Sequence, residues 1–285
     1  MAAIRTFPND GLTFDVDDSS LGDGGGDGDV VILLHGFPQT KASWLGITPA
    51  LVGAGYRVVA ADQRGYSPGA RPRRRRDYTM ARVTGDVLAL ADAAGADRFH
   101  VVGHDWGGAV AWALAASHPE RLATMTSLST PHPRALLRSM VASTQALRSW
   151  YMAMFQLPAL PEAIVRSDLG GRLFTKSLVD SGLAEPAARA SLDVLRGGAA
   201  RGAFHWYRAV PFGSPADAGP VSVPALFVYG TRDSALGRAA ADLTGRFVTG
   251  PYRYEVLDGV SHWIPEEAAD RVGALLVDHM AAHPA

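Results

Sequence analysis

The sequence predicts an α/β protein with a mostly parallel, eight-stranded sheet, helices on its faces and an all-helical insertion between two strands. Three observations predict it. Short β-branched apolar runs alternate with helical patterns along most of the chain. From about Pro133 to Pro220 that alternation stops, leaving helical segments rich in aromatics and Met. Finally, 47% hydrophobic against 19% charged residues over 285 positions is enough to bury a sheet on both faces.

Arg5–Phe7 and Leu12–Val16 read as an antiparallel pair leading into the apolar strand Val30–Leu34. The remaining strands are Arg57–Ala60, Phe99–Gly103, Ala123–Leu128, Ala225–Tyr229 and Tyr252–Leu257. Met80–Ala94 sets Val83, Val87, Leu90 and Ala94 at helical spacing, and Gly107–Ser117 follows a strand directly and stops before Pro119. The last helix is expected from Pro265, a favoured first position, with Glu266 and Glu267 at the positive end of its dipole. It should bury Val272, Leu275, Leu276 and Met280. A helical insertion between two strands would lie as a lid over the strand ends, where α/β sheets hold ligands. The expected division is a core of 1–133 and 221–285 with a cap of 134–220.

Charge excludes several functions. With 27 Lys+Arg against 28 Asp+Glu, no global field favours nucleic acid or acidic membranes. The absence of Cys removes disulfides, thiolate metal sites and a Cys nucleophile. Apolar runs such as Val30–Leu34 are too short to span a bilayer, and MAAIRTFPNDG lacks the apolar stretch of a secretory signal, so a cytoplasmic protein is expected. The Asp/Gly-rich Asp15–Asp29 does not match an EF-hand and reads as a solvated hairpin loop. Arg71 and Arg73–Arg76 read as a solvated basic loop.

The chemistry concentrates in Phe99-His-Val-Val-Gly103-His104-Asp105-Trp106-Gly107-Gly108, a strand running straight into a helix. Small residues two before and two after Asp105 permit a strained turn that lifts one side chain above the sheet edge. That position normally holds Ser. Taken alone, the pattern is better read as a Gly-bracketed structural turn with an N-capping Asp. Three other pieces decide for catalysis: His35-Gly36-Phe37-Pro38 after an apolar strand, Asp233 just past another, and His262 after the last. Nucleophile, acid and His follow in the chain order of the α/β-hydrolase arrangement, which takes its oxyanion N–H groups from positions equivalent to Phe37 and Trp106.

On these residues the sequence resembles the epoxide hydrolase branch of the α/β-hydrolase superfamily, over nearly its full length. The matching pieces are His35-Gly-Phe-Pro38, Asp62-Gln-Arg-Gly-Tyr66, Gly103-His-Asp-Trp-Gly-Gly108, Gly230-Thr-Arg-Asp233 and Ser261-His262-Trp263. Tyr151-Met-Ala-Met-Phe-Gln-Leu-Pro158 is similar to the family's Tyr-x-x-x-Phe-Gln-x-Pro lid segment, whose leading Tyr faces the nucleophile. His205-Trp-Tyr207-Arg208 is similar to the second lid motif, which carries the other Tyr.

The resemblance implies an Asp105 nucleophile, a His262 base oriented by Asp233, and Tyr151 and Tyr207 as proton donors. It also implies a cis bond before Pro38. A small apolar epoxide and water are the expected partners, with no cofactor, no metal, no nucleic acid and no membrane, and a homodimer left open. Phe37, Trp106, Met152, Phe155, Trp206 and Trp263 are the expected pocket residues. His35 and His104 are expected to orient backbone, and Tyr78, Tyr229 and Tyr254 to pack.

Two rivals share the elbow. Haloalkane dehalogenases commonly carry Asn where this chain has Phe37, and fluoroacetate dehalogenases tend to carry Arg where it has Trp106. A ligand-binding protein that kept the fold is the alternative outside catalysis.

Overall fold

The computed structural model describes residues 3–22, 25–26, 28–148, 150–214 and 218–285. Met1, Ala2, Asp23, Gly24, Asp27, Ser149 and 215–217 lie outside, and with them parts of the N-terminal segment, the Asp/Gly loop and the helical insertion discussed above.

Strands β1 (Thr6–Asn9), β2 (Leu12–Asp18), β3 (Val30–Leu34), β4 (Arg57–Ala61), β5 (Phe99–His104), β6 (Leu122–Leu128), β7 (Ala225–Gly230) and β8 (Tyr252–Leu257) form one sheet. Its order is β1-β2-β4-β3-β5-β6-β7-β8. The β1–β2 hairpin turns through Asp10-Gly11, both at positive φ, as a two-residue hairpin loop requires. β2 pairs antiparallel with β4, and every later pairing is parallel.

Burial on both sheet faces explains the unbroken apolar strands. In β3 the alternation sends Val30, Ile32 and Leu34 into one core and Val31 and Leu33 into the other. Helices α1 (Thr48–Gly53), α2 (Met80–Ala93) and α3 (Trp106–Ser117) cover the first half of the sheet. Between β6 and β7 the described residues form α4 (Pro133–Ala142), α5 (Gln145–Arg148), α6 (Trp150–Phe155), α7 (Leu160–Arg166), α8 (Asp168–Asp180), α9 (Glu185–Val194) and α10 (Ala200–Ala209), with no strand among them. Helices α11 (Arg238–Leu243), α12 (Ile264–Glu267) and α13 (Ala269–Ala281) complete the chain. Leu51 of α1 and Val272, Leu276 and Met280 of α13 fill the second core.

Three expectations are corrected. Asp15–Asp18 belong to β2 rather than to a solvated loop, and Asp18 is buried. The cause is Arg57, 2% exposed at the start of β4, which needs a countercharge and takes Asp18 in a two-bond pair at 2.6 and 3.1 Å. Burial would raise the Asp18 carboxyl, but Arg57 and the Ile4 N–H outweigh it and hold it at about 2.

The C-terminal helix is split at Ala268, whose φ of −133° is not helical. The break falls where both first-turn glutamates are tied to other loops, Glu267 by the Ser261 N–H at 2.8 Å and Glu266 by Gln39.

The arginine loop is not simply solvated. Arg71 donates to the Gly197 carbonyl at 3.0 Å, the Arg73 carbonyl accepts from His205 at 3.0 Å, and Arg75 and Arg76 lie over Phe212 at 4.9 and 4.8 Å. It joins the sheet unit to the helical segment, because guanidinium groups reach carbonyls and ring faces across a gap.

Candidate active site

The four sequence pieces meet at the C-terminal edge of the parallel strands. β3 leads into His35-Gly36-Phe37, β5 into Asp105, β7 into Asp233 and β8 into His262. Asp105 occupies φ 51°, ψ −117°, a conformation unfavourable for a side-chain-bearing residue. The turn can form because its neighbours lack side chains: a Cβ on Gly107 would stand 2.0 Å from the Leu34 carbonyl. One on Gly36 would stand 2.3 Å from the Asp105 Cβ.

The two oxygens of Asp105 are not equivalent. Oδ1 accepts the Phe37 N–H at 2.8 Å, while Oδ2 lies 3.5 Å from His262 Nε2. The side chain keeps 18% of its surface accessible. The Trp106 amide, expected as the second oxyanion donor, makes no hydrogen bond to this carboxylate.

His262 donates through Nδ1 to Asp233 Oδ2 at 2.8 Å, and Asp233 Oδ1 accepts the N–H groups of Ala235 and Leu236, each at 2.8 Å. Burial would lower the His262 imidazole, but the Asp233 and Asp105 carboxylates reverse this and raise it to about 10. Burial would likewise raise Asp105. His262 and the Phe37 N–H override it and hold the carboxyl below its usual range.

His35 and His104 serve backbone, as expected. His35 donates to the Gly36 carbonyl at 3.1 Å and accepts the Gln63 N–H at 3.0 Å. His104, lowered to about 4 mainly by burial and therefore neutral, donates to the His262 carbonyl at 2.9 Å. The cis bond before Pro38 is present.

The helical segment brings both expected tyrosines to this edge. The Tyr207 ring meets Trp106 at 5.0 Å and Phe37 at 5.3 Å, both edge-on, and Tyr151 stands 6.2 Å from Tyr207. Both phenols are raised well above their ordinary value, first by burial and then by the Asp105 carboxylate. Both therefore keep their phenolic protons at neutral pH. Phe155 packs on Phe37 at 5.4 Å and Trp206 on Trp106 at 5.7 Å, while Met152 is half-buried against the same cluster. Trp263 stands edge-on to His262 at 5.2 Å. It packs with Leu178, Leu183 and Ala188 and donates its indole N–H to Ser181 at 3.0 Å, joining the helical segment to the histidine loop.

Several supporting residues escape sequence reasoning. Ser129 donates to the His262 carbonyl at 2.7 Å. Arg148 donates to the Asp233 carbonyl at 3.1 Å, and Gln145 accepts the Gly237 N–H at 2.7 Å, so α5 fixes the acid loop. Gln156 donates to the Tyr207 carbonyl at 2.8 Å. Arg208 donates to the carbonyls of Phe155 and Leu157 and to both oxygens of Glu162. The only local signal was that Gln156 and Arg208 sit inside the two lid motifs. A cavity of about 720 Å³ between α8 and α9 is lined by charged side chains such as Lys176, Asp180 and Arg189 and includes none of these residues.

An aspartate on a strand-to-helix elbow, followed by an acid and a histidine at later strand ends, is the layout of an α/β-hydrolase. The family model for the alpha/beta hydrolase fold matches residues 29–269. Epoxide hydrolase A of Mycobacterium tuberculosis is 36% identical, covering 88% of this chain and 90% of that protein. The AB hydrolase superfamily protein YfhM of Bacillus subtilis is also 36% identical, covering 89% and 91%. The crystal structure of Epoxide Hydrolase A from Mycobacterium thermoresistibile superposes with a TM-score of 0.80 at 30% identity, over 98% of each chain. The chain belongs to the epoxide hydrolase branch of the α/β-hydrolase superfamily.

Proposed function

We propose that this chain opens a small apolar epoxide to a vicinal diol through an ester on Asp105, with residues 134–220 as the cap over the site. The observation that carries the proposal is the placement of two neighbouring phenols, Tyr207 against Trp106 and Phe37 and Tyr151 beside it, next to the carboxylate that would attack.

Asp105 is an anion already and needs no base. With Oδ1 held by the Phe37 N–H, Oδ2, which lies 3.5 Å from His262 Nε2, is the oxygen left to attack. It attacks an epoxide carbon, the C–O bond breaks, and the developing alkoxide takes a proton from a tyrosine. Hydrolysis follows. Forming the ester removes one of the two carboxylate charges that raise His262, so its affinity for a proton falls when it must act as a base. His262, oriented by Asp233, takes a proton from water, which attacks the Asp105 carbonyl carbon. The oxyanion develops on Oδ1, where the Phe37 N–H already points; Trp106 is the expected second donor. His262 is free to act as base because its resting proton has gone to the tyrosinate left by ring opening. Collapse of the oxyanion breaks the Cγ–Oδ2 bond and releases the diol, whose leaving oxygen takes the proton from His262, and the proton left on the Asp105 carboxyl returns to His262.

Halide chemistry would want a side-chain N–H at position 37. There the Phe ring instead packs on Tyr207. The test is Tyr151→Phe and Tyr207→Phe, separately and together, with single-turnover ring opening of an aryl epoxide as readout. Each single change should slow opening about tenfold or more, and the double change by about 10²–10⁴-fold. Unchanged ring opening in the double variant would end this reading.

A further inference from the structure

Gln39 closes the turn that presents the Phe37 N–H, donating its own N–H to the Gly36 carbonyl at 2.9 Å. Its side chain is buried, and its amide Nε2 donates to Glu266 Oε1 of α12. Two atoms of this pair are left over. Gln39 Oε1 and Glu266 Oε2 are both buried without a hydrogen-bond partner.

A carboxylate has acceptors only, so an ionised Glu266 leaves its own Oε2 and Gln39 Oε1 facing no donor, each costly to bury. A carboxylic acid has an O–H. The atom that would carry it and an atom able to accept it are those two oxygens. We propose that Glu266 works as a carboxylic acid that closes a two-bond latch with Gln39, positioning the turn whose Phe37 N–H holds Asp105 Oδ1. The latch opens when Glu266 ionises.

The surroundings agree. Burial is the chief influence on Glu266 and raises it to about 7, against the opposing effects of the Gln39 bond, its own backbone and the His262 imidazolium. His262 is the charged group that acts on it. The cavity of about 130 Å³ beside the pair is faced by Thr40 and Ser43 from the core and by Ala187, Ser191 and Val194 from α9, none of which titrates. Glu267, on the same short helix, is engaged by the Ser261 N–H.

The sign follows. A carboxyl raised above its unfolded value contributes stability present below about 4.5 and lost as pH rises through about 7. The latch is therefore closed in mild acid and open in mild base.

The positioning role rests on the reaction proposed above, while the protonation state does not, and two measurements separate them. Difference infrared spectra at pH 6, wild type against E266Q, should show the C=O stretch of a protonated carboxyl that the variant lacks. Without that band the latch is disproved whatever the enzyme turns over. Single-turnover hydrolysis of the Asp105 ester is the second readout. Relative to E266Q, whose amide can close the same two bonds, the wild-type rate should fall about tenfold between pH 6 and pH 9, and E266A should be slower than E266Q at both. Parallel pH courses in wild type and E266Q would overturn the positioning role. Thermal unfolding at each pH separates a folding defect in E266A from a slow step.

Discussion

At Asp105 the backbone holds a conformation that costs on the order of 1–3 kcal/mol. The neighbouring glycines make that geometry sterically accessible, and the Phe37 N–H and His262 make the charged carboxylate favourable within it. The same electrostatics make a prediction about pH. Resting His262 is held at about 10 by two carboxylates, one of which disappears when the ester forms. Stopped-flow tryptophan fluorescence, with Trp106 beside the reacting atoms, should resolve alkylation and hydrolysis. In E266Q, where position 266 does not titrate, hydrolysis should speed up with pH through an apparent pKa clearly below that of the resting histidine. Identical pKa values for the free enzyme and the ester would show that Asp105 does not set the His262 charge. Residue identities here were legible because an elbow, an acid and a histidine each sit at a strand end with little sequence freedom. The Gln39–Glu266 contact was not, since it joins positions 227 apart through loops.

Among the elements, α6, α7 and α10 are held together by one arginine. Arg208 bonds two carbonyls beside Phe155 and both oxygens of Glu162, and Gln156 returns a bond to the Tyr207 carbonyl. This explains physically why the two lid motifs occur together: each supplies the other's hydrogen-bond partners. R208A should strand a buried carboxylate and two carbonyls, costing about 3–5 kcal/mol in urea unfolding, with ring opening slowed because Tyr207 loses its support. A loss below about 1 kcal/mol would mean the pair acts as an exposed one. Periodicity revealed helices here but not their mutual arrangement, because the polar contacts that fix it have no repeat. Trp263 shows the same limit. Its place next to His262 was legible, and its ring does meet that histidine, but its indole bond to Ser181 and its packing on Leu178, Leu183 and Ala188 were not.

Across the whole molecule, the sheet was readable because burial on both faces imposes continuous apolar strands, and all eight were anticipated to within a few residues. What escaped is how the helical segment is fastened. The arginine loop looked solvated because five arginines in a neutral chain give no hint of a partner. In the fold they reach Gly197 and Phe212 across the joint. Among the described residues no helix is long and apolar enough to cross a membrane. The account comes down to one covalent bond between Asp105 and an epoxide carbon. H262N removes the base that would release it, so the variant should stall as an ester. Intact-protein mass after exposure to aryl or alkyl epoxides should then increase by the whole mass of the epoxide, and the increase should vanish when Asp105→Ala is added. An increase only with haloalkanes, by the haloalkane mass less hydrogen halide, would contradict the account.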